Sequence, residues 1–141
     1  MNAASMNIAD RPKPALDHVS RQYWEAAGRG ELLIQHCPAC GHRQHYPRAG
    51  CTICGASPDW EQASGRGVVY TYTVIRQNYG KPFRDELPYV IAMIDLEEGP
   101  RLLTGLTDVE PEAVEIGMAV EVWFADAGDD IGIPFFRPAT A

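Results

Sequence analysis

The first regular pattern along the chain is helical. Four apolar residues recur every three to four positions and are followed by a glycine that can act as a stop: Leu16, Val19, Tyr23, Trp24 and Gly28. This spacing predicts a short helix from 17 to 28, within an N-terminal helical unit of residues 16–30. Because so short a helix is marginal in isolation, its apolar side must pack on the rest of the chain or on a partner.

The second half of the chain changes to the pattern of β-strands. Residues 67–75, GVVYTYTVI, carry aromatic and β-branched side chains throughout, so both faces of this strand are expected to be at least partly covered. Residues 89–96, YVIAMIDL, are almost continuously apolar. Three further strands are predicted at 101–106, 120–125 and 133–137.

Polar or aperiodic segments separate these elements. Residues 1–15 show no periodicity and are predicted to be a disordered arm. Residues 76–88, RQNYGKPFRDELP, are predicted to form a long loop, and residues 110–117 a connection with one helical turn. A brief strand at 32–34 leads into a segment rich in turns and cysteines.

Five short strands with turns between them favour a small Greek-key barrel of the OB type over a sandwich of seven or more strands. The predicted fold is therefore mainly β. It has an N-terminal helix, a small cysteine-containing module at 31–60 and a five-stranded OB-fold barrel at 61–141.

Composition is consistent with an ordinary globular chain. Apolar residues make up 45% and charged residues 22% of 141 residues, enough for one domain or for a small module joined to a domain of about 75 residues. No apolar run approaches the roughly 20 residues that span a bilayer, and residues 1–15 lack the hydrophobic stretch of a signal peptide. We therefore expect a cytoplasmic protein without a membrane span.

The negative charge is concentrated in the barrel segment. Residues 1–64 contain six Lys or Arg and six Asp or Glu, whereas residues 65–141 contain six against thirteen. Because nucleic-acid affinity depends largely on Lys and Arg that neutralise phosphates, the acidic excess disfavours nucleic acid as a partner of the barrel.

The four cysteines form the strongest motif: Cys37, Cys40, Cys51 and Cys54, in the spacing C-x2-C-x10-C-x2-C. The two-residue spacer lets both thiolates of a pair face one point, and the glycine after each pair permits the positive φ of a tight turn. We predict one structural zinc ion in a closed shell of four sulfurs, with no open position for water or substrate. Iron in a rubredoxin-like site and dithiol redox chemistry remain alternatives, although redox chemistry would leave the second pair unexplained.

Catalytic signatures are absent from the sequence. It contains no dinucleotide-binding glycine motif, phosphate-binding loop, nucleophile elbow or H-E-x-x-H motif. The acidic cluster of Asp95, Glu97 and Glu98 at a strand end is typical of a solvated turn. We therefore predict a protein that is not an enzyme by itself.

Aromatic residues gather around the first barrel strand and the long loop: Tyr70, Tyr72, Tyr79, Phe83 and Tyr89. They can serve core and loop packing, a partner or ligand surface, or stacking of nucleobases as in some OB folds. The sequence leaves these three interpretations open.

Taken in order, several motifs resemble a known family: YWEAAGRGELLIQHC, CPACG, CTICG, SGRGVVYTYTV, PYVIAMIDLEEGPRLLTGL and IGMAVEVWF. Over residues 17–137 the chain is similar to the acyl-CoA-associated family that joins a rubredoxin-like zinc ribbon to an OB fold. The resemblance implies a non-catalytic accessory subunit of a thiolase-like or a MaoC-like enzyme. Partners in such families include lipid-transfer-protein-like thiolases, aldolases acting on steroid side chains, and a thiolase that feeds hydroxymethylglutaryl-CoA synthase.

The resemblance leads to a specific hypothesis: a zinc-binding subunit that joins a thiolase-like enzyme in a hetero-oligomer, with acyl-CoA at or near the shared interface. Because CoA is anionic and the barrel acidic, the partner should hold the nucleotide, while this chain touches the pantetheine or acyl part. The predicted contacts are Tyr79, Lys81, Phe83 and Arg84. A MaoC-like hydratase as partner, a single-stranded nucleic-acid-binding module and an enzyme with an unrecognised site are the alternatives.

Overall fold

A helix, a three-stranded ribbon and a closed barrel follow one another in the computed structural model, which describes residues 1–140. The helices are α1 (Arg21–Gly28) and α2 (Lys81–Arg84), and a 3-10 turn spans Pro111–Ala113. The ribbon strands are β1 (Leu33–His36), β2 (Arg43–Gln44) and β3 (Asp59–Gln62). The barrel strands are β4 (Arg66–Ile75), β5 (Tyr89–Leu96), β6 (Arg101–Leu106), β7 (Ala119–Asp126) and β8 (Gly132–Pro138).

The barrel strands are arranged in the order β4-β5-β6-β8-β7 and close on themselves. Neighbours are antiparallel except β6 and β8, which run parallel and meet at Leu106 and Phe136. This is the Greek-key order of an OB fold, so the predicted fold class is confirmed. The interior is lined by fully buried side chains from several strands: Val69, Val90, Ile94, Leu102, Leu106 and Phe136.

Strand β5 shows why an almost continuous apolar run forms one barrel wall. Every second residue from Val90 to Leu96 is buried in the core, and the residues between them are half-buried on the outer surface. The predicted bounds of β5 and β6 match the structure, β4 begins one residue earlier than predicted, and β7 and β8 are each one residue longer at both ends.

Strand β4 differs in part from the prediction that both of its faces are at least partly covered. It pairs with β7 only from Arg66 to Val68, and its register against β5 shifts between Val69 and Thr71. Beyond this bulge, all four residues from 70 to 73 are exposed. The local alternation of the sequence does not reveal that β7 begins only at Ala119, opposite Val68.

Helix α1 begins at Arg21, later than the predicted start at residue 17. The Asp17 carboxylate accepts hydrogen bonds from the backbone N–H of Val19 (3.0 Å) and of Ser20 (2.7 Å), which holds a separate turn before the helix. Such competition between side chain and backbone is typical of Asp near a helix start.

The packing of α1 on the barrel depends on two glycines. A Cβ at Gly28 would collide with the Asp130 carbonyl, and a Cβ at Gly132 would collide with the Ala27 carbonyl. Gly28 is the last residue of the helix, so its role is close approach to β8 as well as helix termination. Among residues 1–140, no helix has the length and apolar character to span a bilayer.

Residues 1–15, expected to be a disordered arm, lie against the barrel. Ile8 is 3% exposed and joins Phe135 and Ile131 in a second apolar cluster on the outside of the barrel, with Met1 and Met6 packed against it. The backbone N–H of Asp108 donates to the Met1 carbonyl (2.9 Å), so the segment is also held by hydrogen bonds. Three isolated apolar residues give no periodic signal, which is why the sequence did not predict this contact.

Candidate metal centre and predicted ligand loop

The structure brings the four predicted cysteine sulfurs together, all within 4.8 Å of one another. The Sγ atoms of Cys37 and Cys54 are 3.5 Å apart, and those of Cys40 and Cys51 are 3.6 Å apart. Disulfides require about 2.05 Å, so these are free thiols. A tetrahedral ion with metal–sulfur bonds of about 2.3 Å would place its sulfurs about 3.8 Å apart. The donor set and spacing therefore fit a single tetrahedral metal ion.

The two cysteine pairs lie on turns of the same geometry. The Gly41 N–H donates to the Cys37 carbonyl (2.8 Å), and the Gly55 N–H donates to the Cys51 carbonyl (2.9 Å). Gly41 has φ of 77° and Gly55 of 78°, values that side-chain-bearing residues rarely adopt. The glycine after each pair is therefore required by the turn, as the sequence predicted.

Backbone N–H groups favour thiolates at two of the four positions. The Cys40 N–H lowers the pKa of Cys37, and the Cys54 N–H does most to lower the pKa of Cys51 to about 6. The His42 N–H also acts to lower the pKa of Cys40, but burial and the neighbouring sulfurs raise it to about 12. Four thiolates so close together repel one another, and a bound divalent cation would remove this conflict.

Two buried glutamines, which sequence reasoning missed, hold the segment between the cysteine pairs. The Gln35 Oε1 accepts hydrogen bonds from the Gln44 Nε2 (2.8 Å) and the Arg48 N–H (2.9 Å). The Gln44 Oε1 accepts another from the Thr52 N–H (3.0 Å). Glutamine in a short strand usually indicates a solvent-facing position, so no sequence signal pointed to this network.

His45 and Tyr46 join the ribbon to the helix and the barrel. The His45 ring lies 5.6 Å from the Tyr23 ring and 4.3 Å from the Tyr46 ring, measured between centroids. Burial lowers the pKa of His45 to about 4, so the ring is neutral near pH 7. The Leu103 N–H on β6 donates to the Tyr46 hydroxyl oxygen (3.2 Å). The ribbon therefore positions a side chain on the edge of the barrel.

The predicted ligand contacts lie together on the loop between β4 and β5. Tyr79 is 67% exposed, and Lys81 and Arg84 are exposed on α2. Phe83 is half-buried, because it packs near Tyr89 (6.3 Å between centroids) and under the Arg11 guanidinium (4.7 Å to the ring centroid). Three of the four side chains are thus free to contact another molecule, and Phe83 is partly used within the chain.

A cleft of about 520 Å³ separates this loop from the N-terminal segment. Its lining combines three carboxylates with a single lysine: Ser5, Asn7, Asp10, Lys81, Pro82, Asp85 and Glu86. This charge balance disfavours the phosphates of CoA in the cleft itself.

Two family descriptions match consecutive parts of the chain. Residues 24–61 match "ChsH2, rubredoxin-like zinc ribbon domain", and residues 60–125 match "ChsH2, C-terminal OB-fold domain". The "DUF35 domain-containing scaffold protein" of Methanocaldococcus jannaschii is 41% identical over 115 residues, which cover 76% of this chain and 81% of that protein. The chain belongs to the ChsH2/DUF35 family. The resemblance that the motifs indicated is thereby confirmed.

Other similar proteins have names that mention a subunit or a second component. The "probable enoyl-CoA hydratase alpha subunit" of Thermomonospora curvata is 40% identical over 131 residues, 92% of this chain, and the chain spans 40% of the length of that relative. A solved structure titled "Ltp2-ChsH2(DUF35) aldolase" contains a chain that is 38% identical, with a TM-score of 0.82. The match covers 91% of this chain and 100% of that chain.

Proposed function

We propose that this DUF35 protein is a non-catalytic, zinc-binding subunit that pairs with a thiolase-superfamily enzyme, of the lipid-transfer-protein-like thiolase or aldolase type, and helps form its acyl-CoA site. The observation that carries the proposal is the likeness, across the complete matched chain, to a chain of a structure whose title names both Ltp2 and ChsH2(DUF35). The proposed substrate class, an acyl-CoA, is based on the name of the T. curvata relative. The proposed acyl group, from a lipid or a steroid side chain, is based on the family resemblance.

Zinc is the proposed occupant of the four-cysteine centre. Four thiolates in tetrahedral spacing form a closed shell, which suits structural zinc and leaves no coordination position for a substrate. The metal then stabilises the ribbon, and the chemistry belongs to the partner. Cysteines grouped for metal binding rather than joined in disulfides are typical of a reducing compartment, so we propose that the protein is cytoplasmic.

The loop carrying Tyr79, Lys81, Phe83 and Arg84 is the proposed contact to acyl-CoA. The acidic cleft beside it supports a division in which the partner binds the nucleotide end and this loop touches the pantetheine or acyl part. The exposed ring of Tyr79 offers an apolar surface for such a chain.

Co-expression with an Ltp2 homologue from the same organism tests this function. We expect the two chains to co-elute in size-exclusion chromatography, and the solubility or acyl-CoA turnover of the homologue to fall when this chain is omitted. The matched control is the Cys51→Ser variant, which should fail to form the complex. A purified chain that neither binds nor affects the homologue would overturn the proposal.

A MaoC-like hydratase is the second candidate partner, favoured by the hydratase name of the T. curvata relative. The same co-expression design applies, with hydration of a trans-2-enoyl-CoA as the readout. Nucleic-acid binding is not favoured because the chain has a net charge of −7. Salt-dependent binding of single-stranded oligonucleotides at physiological ionic strength would contradict that conclusion.

A further inference from the structure

One outer surface of the barrel is apolar and continuous with the ribbon. It consists of Tyr46, Val68, Tyr70, Met93 and Leu103, which we call the outer face. Leu103 is 56% exposed, and the other residues are exposed except for the half-buried Met93. Met93 pairs with Leu103 in the β5–β6 register, and the Leu103 N–H bonds to the Tyr46 hydroxyl. These contacts make the outer face one patch across both modules.

The chain covers a neighbouring apolar part of the barrel's outer surface, next to Gly105 on β6, with its own residues. There, Trp123 and Phe135 stack at 5.4 Å between ring centroids, and Ile8 of the N-terminal segment is buried in the same cluster. A Cβ at Gly105 would collide with the Phe135 ring, so glycine allows Phe135 to lie on β6. The outer face has no such cover among residues 1–140, and large exposed apolar patches commonly mark interaction sites.

The charge of the outer face selects the kind of partner. Two charged side chains beside it, Arg101 and Asp95, neutralise each other through a 2.6 Å hydrogen bond, and the Tyr70 ring lies on the Arg101 guanidinium, 3.3 Å from Cζ to the ring centroid. A surface whose cation is already paired offers little to phosphate groups. Protein interfaces, in contrast, are enriched in Tyr, Met and Arg and depleted in unpaired charge at their centre.

The position of the outer face supports the same conclusion. OB folds commonly bind their ligands on the second and third barrel strands, which are β5 and β6 here. Residues 71–75 of β4 pair with β5 along one edge. The opposite edge of residues 70–75 has no paired strand in the described part of the chain. Unpaired edges are usually protected by charge or proline, and this stretch, YTYTVI, contains neither.

We propose that the outer face and the free edge of β4 are the docking surface for the thiolase-like catalytic subunit. This inference rests on the proposed function and adds the location of the interface. The patch joins ribbon and barrel through Tyr46, so a folded ribbon completes the docking surface.

Binding of the purified Ltp2 homologue, measured by calorimetry, tests the location. Leu103→Lys should raise the Kd at least about tenfold, and Tyr70→Thr should weaken binding in the same direction. The matched control is Leu16→Lys, since Leu16 is partly exposed and precedes the helix that packs on β8. It should bind like the wild type. Zinc content and melting temperature establish that each variant is folded.

The outcomes separate the two proposals. If the wild type binds and both outer-face variants bind equally well, the docking surface is wrong and the proposed function stands. If the wild type does not bind the homologue, the proposed function and the docking surface are both wrong. A dimer of this chain alone that Leu103→Lys dissociates would assign the face to a second copy and overturn the inference. Should Leu103→Lys not fold, a photocrosslinking residue at Tyr70 must capture the homologue, and one at Leu16 must not.

Discussion

In the barrel, the fully buried side chains are almost all aliphatic or aromatic, whereas in the ribbon two glutamines are buried beside two cysteines. The barrel is stabilised mainly by burial of apolar surface, which needs no ligand. The ribbon has strands of two to four residues. Leu32 and Ile34 join its start to the barrel core, and the rest depends on hydrogen bonds and on the proposed zinc. The same chain therefore contains one module that is stable through its core and one whose folding is conditional on a metal.

The largest effect is expected from removal of the metal, which should unfold the ribbon and leave the barrel folded. Cys40→Ser or Cys51→Ser should release zinc and unfold residues 32–60, because structural zinc contributes on the order of 10 kcal/mol to such small modules. The barrel amides should remain protected in hydrogen exchange. Metal analysis that finds no zinc in the intact protein would refute the prediction. If the ribbon amides of the Cys-to-Ser variants also stay protected in hydrogen exchange, the folding of the ribbon does not depend on the metal.

A substitution in the barrel core should destabilise the barrel and leave the zinc content unchanged. Ile94 is fully buried, so Ile94→Ala should reduce the free energy of unfolding by about 3 kcal/mol through lost apolar contact and a residual cavity. Chemical denaturation measures this loss, and zinc content below the unfolding transition should not change. Loss of zinc from the folded variant would show that the ribbon depends on the barrel core.

The junction between the modules should respond to acid. Burial lowers the pKa of His45 from 6.5 to about 4, so the unfolded chain binds a proton more readily than the folded chain in that interval. Stability is fully present above about pH 6.5 and should fall by about 3 kcal/mol as the pH drops to 4. His45→Phe should flatten this dependence in denaturation curves. Zinc content, measured at each pH, separates this effect from acid release of the metal. If the free energy of unfolding of His45→Phe falls with pH as in the wild type, His45 is not the cause of the pH dependence.

The smallest expected effect lies at the contact between ribbon and barrel edge. Tyr46→Phe removes the hydroxyl that accepts the Leu103 N–H and should cost about 1 kcal/mol or less, because the contact is exposed and water can replace it. Denaturation compares the variant with the wild type. A loss of several kcal/mol would indicate that this single hydrogen bond couples the folding of the two modules.

Much of the fold could be predicted because its signals are local. The bounds of β5 and β6 follow from apolar runs separated by the turn residues 97–100, and the convergence of four cysteines follows from two x2 spacers, each followed by glycine. Ribbon strands β2 and β3 were missed because RQ and DWEQ have no apolar alternation. The single turn of α2 was missed inside a polar segment that contains Gly80 and two prolines.

The sequence by itself determined the barrel strands, the four-cysteine motif, the acidic balance and the family resemblance, because each depends on residue types at short spacing. Only the tertiary structure decided which apolar surface is covered and which is open. Ile8 and Phe135 are 127 positions apart in the sequence and yet pack together. Tyr46 reaches Leu103 across 57 positions. Such contacts depend on how the strands close into a barrel, and no local pattern along the chain contains that information.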